Sequence, residues 1–236
     1  MWLWILAVLA AYFIKGLCGF ANTLVLTTIL SFGTDNADIS PVDLLLCYPM
    51  NGIMTWKNRK KLDRRVCLTL SVLVLAGSIP GAFLLKNLDA HVLKLLFGVV
   101  VVLMGLENLW RKKGTMRSSK IVMGIIGVAA GLLCGLFGVG ALLAAYINRV
   151  TDDSEAFKAN ICAVFLVENT FRVILYLCLG LITLSSVKQV LWLLPIAFVG
   201  LALGIISSRK LNEKHAKTVM AVLLIVSGLS LIVKNL

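Results

Sequence analysis

The sequence predicts an all-α, polytopic integral membrane protein built from two homologous halves. Each half is expected to open with a glycine-broken helix or re-entrant hairpin, followed by three transmembrane helices. Three observations carry this expectation. Of the 236 residues, 60% are hydrophobic and 14% charged, with a mean hydropathy of +0.97, whereas a soluble domain carries about a quarter charged residues. The charges gather in short loops between long apolar runs. The chain also resembles itself at a spacing of roughly half its length.

The apolar runs are Trp2–Phe32, Pro41–Trp56, Val66–Leu85, Ala90–Trp110, Ile121–Ile147, Ala159–Ile182, Val187–Ser208 and Ala216–Val233. About 20 helical residues cross the hydrocarbon core of a bilayer. The loops between the runs are about ten residues or shorter, so no soluble domain is expected. The first run lacks a basic leading region and a small-residue cleavage site, so it is expected to belong to the membrane domain and not to a signal peptide. Trp2, Trp4, Trp56, Trp110 and Trp192 mostly flank run ends, where the membrane interface favours indole rings.

Cys18, Cys47, Cys67, Cys134, Cys162 and Cys178 lie in or beside apolar runs, with no C-x-x-C pair. Small buried hydrophobes are the expected role, not disulfides or metal ligands. His91 and His215 stand at loop edges, so no haem, metal or other cofactor is expected. The net charge of +12 sits in loops beside spans, where it orients the chain in the bilayer. Membrane lipid, not nucleic acid, is the expected partner. No hydrolase, metalloprotease or nucleotide-binding motif occurs, and an enzyme is not expected.

The repeat divides the chain into 1–114 and 115–236. Gly16 and Gly19 align with Gly135 and Gly138 at an offset of 119, and Asn51 with Asn169 at 118. Gly77, Gly81, Leu88, Lys94 and Gly105 align without gaps with Gly200, Gly204, Leu211, Lys217 and Gly228 at 123. Duplicated halves are a frequent transporter design, with the substrate site where broken helices of each half meet.

Loop charge bears on topology. If the two long glycine-containing runs turn back on themselves, loops 57–65, 111–120, 149–158 and 209–217 share one side and hold 17 Lys and Arg, against 4 on the other. The positive-inside rule favours that arrangement. It makes the halves antiparallel and puts both termini outside.

Within "AYFIKGLCGFANTLVL" a lysine and two glycines interrupt an apolar run. A break there frees backbone groups that lipid cannot satisfy, so it must face protein or a polar cavity. The amides opening the next half-helix, near Phe20–Thr23 and Val139–Leu142, would form an anion site. Close packing of Gly16, Gly19, Gly135 and Gly138 against other helices is the competing reading. Lys15 marks either a partner or pathway within the membrane, or a side chain snorkelling to the surface. Glu168 and Arg172, four residues apart, share a helical face and can pair; alternatively Arg172 meets an anion while Glu168 takes up a proton. Asn22, Asn51, Asn160 and Asn169 add neutral amides, which serve either a site or helix bridging. The candidate substrate-binding set is Lys15, Gly16, Gly19, Asn22, Asn51, Gly135, Gly138, Gly140, Asn169 and Arg172, with Glu168 the candidate for coupling.

A glycine-rich break opens each half, and "GSIPGAFLLKNLDAHVLKLLFGVVVVLMG" follows, with its G-x-x-x-G spacing and L-L-F-G. Together with "GLLCGLFGVGALLAAYI", this order resembles the sulfite exporter TauE/SafE family over nearly the whole chain. The family opening continues with clustered glycines where this chain has Phe20, Ala21 and Asn22. The resemblance implies a transporter of small sulfur-containing anions, sulfite or organosulfonates, in a bacterial-type cytoplasmic (inner) membrane. A secondary transporter working by alternating access is the leading expectation. A passive anion channel through the same constriction is the alternative. A coupling proton or ion and a homo-oligomer are both compatible with the sequence.

Overall fold

The computed structural model describes residues 2–30, 33–89, 120–137 and 154–208 continuously, with scattered positions among 91–106, 140–147 and 222–233. Regular structure among these residues is helical: α1 (Trp2–Cys18), α2 (Asn22–Leu30), α3 (Asn36–Lys57), a 3-10 turn at Arg59–Lys61, α4 (Arg64–Asn87), α5 (Lys120–Phe137), α6 (Ser154–Cys178) and α7 (Leu184–Ser208). Helix α4, helix α7 and α6 from Glu155 are long and apolar enough to cross a membrane. Most of the runs Ala216–Val233 and Ala90–Trp110, the boundary at 114 and the basic loops 111–120 and 209–217 fall outside the described residues, apart from Lys120 at the start of α5.

The first long run is broken, not continuous. Gly19 donates its amide to the Lys15 carbonyl at 2.7 Å, closing α1. Gly19 and Ala21 then adopt φ of +86° and +74°, and the helix restarts as α2, which packs beside α1. The left-handed region suits glycine but costs an L residue about 1–2 kcal/mol, so Ala21 is held there by its surroundings. Helix α3 begins at Asn36, five residues before the apolar run that predicts it. Its first turn is polar and carries Asp38, which complements the positive end of the helix dipole; hydropathy alone does not see such a turn.

The most extensive helix contacts are α4 with α5 and α1 with α7, followed by α3 with α6. In lipid no hydrophobic force drives helices together, so close approach depends on small residues. Both leading pairs cross at glycines. A Cβ on Gly81 would come within 2.9 Å of the Gly135 Cα, and one on Gly204 within 2.9 Å of the Gly16 Cα. Backbone walls both crossings. The opposite faces of α4 and α7 expose Leu68, Val72, Leu191, Trp192, Val199 and Ile206, as lipid-facing surfaces do.

Between α3 and α4 the Asp63 carboxylate accepts the amides of Arg65 and Val66 at 2.9 and 3.2 Å, capping α4. The Asp63 amide donates to Asn160 of α6 at 2.9 Å. Asn160 therefore pins this basic loop.

A methyl group at either crossing has only backbone to push against. We expect Gly81→Ala and Gly204→Ala each to lower stability by about 1–3 kcal/mol, read by reversible unfolding in mixed micelles. Gly52→Ala, where a Cβ meets nothing within 4 Å, should leave stability unchanged or raise it by up to about 1 kcal/mol.

Candidate functional site

The break between α1 and α2 is surrounded by polar side chains. Lys15, one turn before it, is 0% exposed. Its ammonium donates to Asn22 Oδ1 of α2 at 3.1 Å and to Asn51 Oδ1 of α3 at 2.8 Å, with Cys47 Sγ at 3.4 Å. Lys15 thus does not snorkel; it ties three helices together from inside. Those two bonds also fix the amide orientations. Asn51 Nδ2 turns to Cys47 Sγ at 3.2 Å, and Asn22 Nδ2 turns to Asp43 Oδ1 at 3.1 Å.

Asp43 is a second buried charge, from α3. Its carboxylate accepts from Tyr12 of α1 at 3.4 Å, from Asn22 and, on the other oxygen, from the Thr23 hydroxyl. Asp43, Cys47 and Asn51 are spaced by four residues, so one stripe of α3 faces the break.

Helix α6 supplies the opposite wall. Arg172 pairs with Glu168 at 3.5 Å, donates through Nη1 to the Cys134 carbonyl of α5, and lies over the Tyr176 ring at 5.5 Å. Ser78 of α4 donates to Glu168 at 3.3 Å. Phe165, Asn169 and Arg172 follow one another along the same face. The Phe165 ring tip lies so close to Gly140 that a Cβ there would collide with it.

These walls border a small, partly open pocket, lined among others by Ala21, Asn22, Thr23, Asp43, Asn169 and Arg172. The first intrahelical bond of α2 runs from the Val25 amide to the Ala21 carbonyl at 3.2 Å. The amides of Asn22, Thr23 and Leu24 therefore precede any helical partner, and these residues line the cavity. Two side-chain donors in the same wall, Asn169 Nδ2 and Arg172 Nε, are buried without a hydrogen-bond partner among the described residues. A buried donor left unmade costs about 1–3 kcal/mol. Two unpartnered buried donors and the opening turn of α2 thus border one small space.

Of the sequence candidates, Asn22, Gly140, Asn169 and Arg172 line this cavity. Lys15 and Asn51 lie immediately behind it. Glu168 holds Arg172 from outside the wall. Gly16 and Gly135 are placed at the helix crossings, and Gly19 forms the left-handed turn against the Lys158 side chain. Gly138, with the Val139 and Leu142 amides, lies outside the described residues. Asp43, Tyr12 and Cys47 were not among the candidates. Asp43 had a visible signal, a carboxylate within the apolar run Pro41–Trp56.

The site is thus a small pocket beside a broken helix, in a bundle with helices long and apolar enough to cross a membrane. The chain belongs to the sulfite exporter TauE/SafE family, whose model matches residues 4–231. That membership makes membrane transport of sulfite or a related anion its class of activity. No curated protein and no solved structure matches the chain.

Removing Arg172 alone leaves Glu168 buried and unpaired. Arg172→Met should cost about 3–5 kcal/mol in micelle unfolding. Adding Glu168→Gln to it should recover part of that loss, a double-mutant cycle that isolates the pair.

Proposed function

We propose that the chain is a secondary transporter of a small sulfur-containing anion, sulfite or an organosulfonate, working by alternating access. The observation that carries this reading is the placing of two unpartnered buried donors, Asn169 Nδ2 and Arg172 Nε, on residues that line one pocket together with the opening residues of α2. Donors without acceptors beside one pocket suit a compact oxyanion, which brings several acceptor oxygens at once. The Asp43 carboxylate in the same wall repels an anion, and the bonds it accepts from Tyr12, Asn22 and Thr23 only disperse its charge.

Two halves, 1–114 and 115–236, related by an approximate two-fold axis, are the architecture we infer. In support, the repeat equates Gly16 with Gly135 and Gly81 with Gly204, and the Gly16–Gly204 and Gly81–Gly135 crossings are then one contact made twice. The cations are also exchanged between halves: Lys15 stands at the position equivalent to Cys134, whose carbonyl receives Arg172. In this reading Lys15 and Arg172 supply the positive potential, and Glu168 is available for ion coupling. A bacterial-type cytoplasmic membrane is the setting the family suggests.

The test is counterflow in proteoliposomes preloaded with unlabelled sulfite. We expect entry of labelled sulfite to be stimulated by the internal pool, as a carrier requires and a channel does not. Asn169→Ala, which removes one hydrogen bond to a charged ligand, should lower sulfite affinity by about tenfold or more. Absence of counterflow with sulfite and simple sulfonates alike overturns the proposal. Cysteine labelling from one side at loops 57–65 and 209–217 tests the antiparallel arrangement; both loops should react from the same side.

A further inference from the structure

We propose that Asp43 carries a proton with the anion, so that transport is anion–proton symport; this rests on the transport reading above. Among the described residues the buried charged side chains are Lys15, Asp43, Glu168 and Arg172, and their formal charges cancel. A monoanion entering the cavity would leave one negative charge uncompensated. A buried charge without a partner is costly enough that the site takes up a proton instead.

Geometry selects the acid. Glu168 lies behind the wall, paired to Arg172 and receiving Ser78. Protonating it would loosen the guanidinium that the anion needs. Asp43 lies in the cavity wall itself, and its hydrogen-bond partners are neutral: Tyr12, Asn22 and Thr23. Two of those are hydroxyls, which both donate and accept. When Asp43 takes a proton, the new O–H can donate to the Thr23 or Tyr12 oxygen while that hydroxyl rotates away. Protonation at Asp43 therefore need not strand a buried group, an option Glu168 lacks with its guanidinium partner.

The charged and titratable groups around Asp43 are Tyr12 and Lys15 from α1, Cys47 on α3 and Arg172 with Glu168 and Tyr176 from α6. Helix α5 adds Cys134, α2 contributes the neutral Asn22 and Thr23, and α7 packs on α3 with apolar side chains such as Val190 and Leu193. Asn22 links the two ends of this set, accepting from Lys15 and donating to Asp43. In the cycle, the Asp43 carboxylate binds one proton from the solution facing the cavity as the anion enters. It returns that proton to the other side when the anion leaves, and no other bond changes.

The experiment uses proteoliposomes and two probes, radiolabelled sulfite and radiolabelled methanesulfonate. The sulfonate stays ionised, so pH then acts on the protein alone. Counterflow at equal pH reads transport itself. A pH gradient, acid outside, reads coupling. We expect a gradient of one unit to drive up to about tenfold accumulation of methanesulfonate or sulfite, with uptake of external protons registered by a pH dye. Asp43→Asn should lose the gradient-driven accumulation and the proton uptake, and the rate of its counterflow should no longer vary with pH. Should that variant not fold, Asp43→Glu decides, by a gradient response whose pH midpoint moves. Counterflow without accumulation or proton uptake overturns the inference and leaves the transport reading standing. So does accumulation that persists in Asp43→Asn, or an unmoved midpoint in Asp43→Glu. Absence of counterflow with both probes sinks the transport reading, and this inference with it.

Discussion

Lys15 is the interaction on which the site depends. An ammonium with no access to solvent is among the most expensive groups to place inside a protein, and it is tolerated only where acceptors surround it. Here the acceptors come from α2 and α3, while the charge comes from α1. The need to satisfy one cation therefore holds the far side of the helix break in place. Without it, nothing described in the structure would orient Asn22 and Asn51 as acceptors towards α1. The break itself follows from the same logic. A chain that leaves helical geometry within a bilayer must find protein partners for its backbone, and the polar cluster around Asn22, Thr23 and Asp43 provides a setting for them.

The rest of the bundle supports this centre in the manner expected where lipid is the solvent. Apolar side chains on α4 and α7 face outward, because burying them against other helices gains little over burying them in lipid. Contact energy comes instead from backbone surfaces brought together at glycines. Polar groups inside are paired across helices: Ser78 of α4 to Glu168 of α6, Tyr176 of α6 to the Gly135 carbonyl of α5 at 3.0 Å, and Ser40 of α3 to Tyr176 at 3.2 Å. The donors of Asn169 and Arg172, like the hydroxyls of Thr28 and Thr55, stay outside that network among the described residues.

Much of this was legible in the sequence, for particular physical reasons. The helical class, the membrane setting and the interruption near Lys15 follow from hydropathy and from glycine in an apolar run. Helix spacing alone anticipated that Glu168 and Arg172 could meet. Other features depend on tertiary contacts that no local pattern encodes. Nothing in "CGLFG" says whether Gly135 bends a helix or lets another helix approach, and the answer lies in the position of Gly81, more than fifty residues earlier. Asn160 looked like a membrane amide because its neighbours are apolar, yet it binds a loop. Asp43 is hidden from hydropathy averaging, because one carboxylate among leucines barely alters the mean of its run. Its partners, Tyr12 and Thr23, belong to other helices, so their convergence exists only after folding.

The glycine crossings carry a consequence for how the chain is put together. The tightest helix pairs, α1 with α7 and α4 with α5, each join a helix from before residue 114 to one from after it. Cutting the chain there would separate both pairs at once, and each fragment would be left with a grooved glycine face open to lipid. The helix pairs thus cut across any division of the chain at residue 114. During synthesis α1 can pack on α2 as soon as both are made, but its glycine crossing closes only when α7 has emerged.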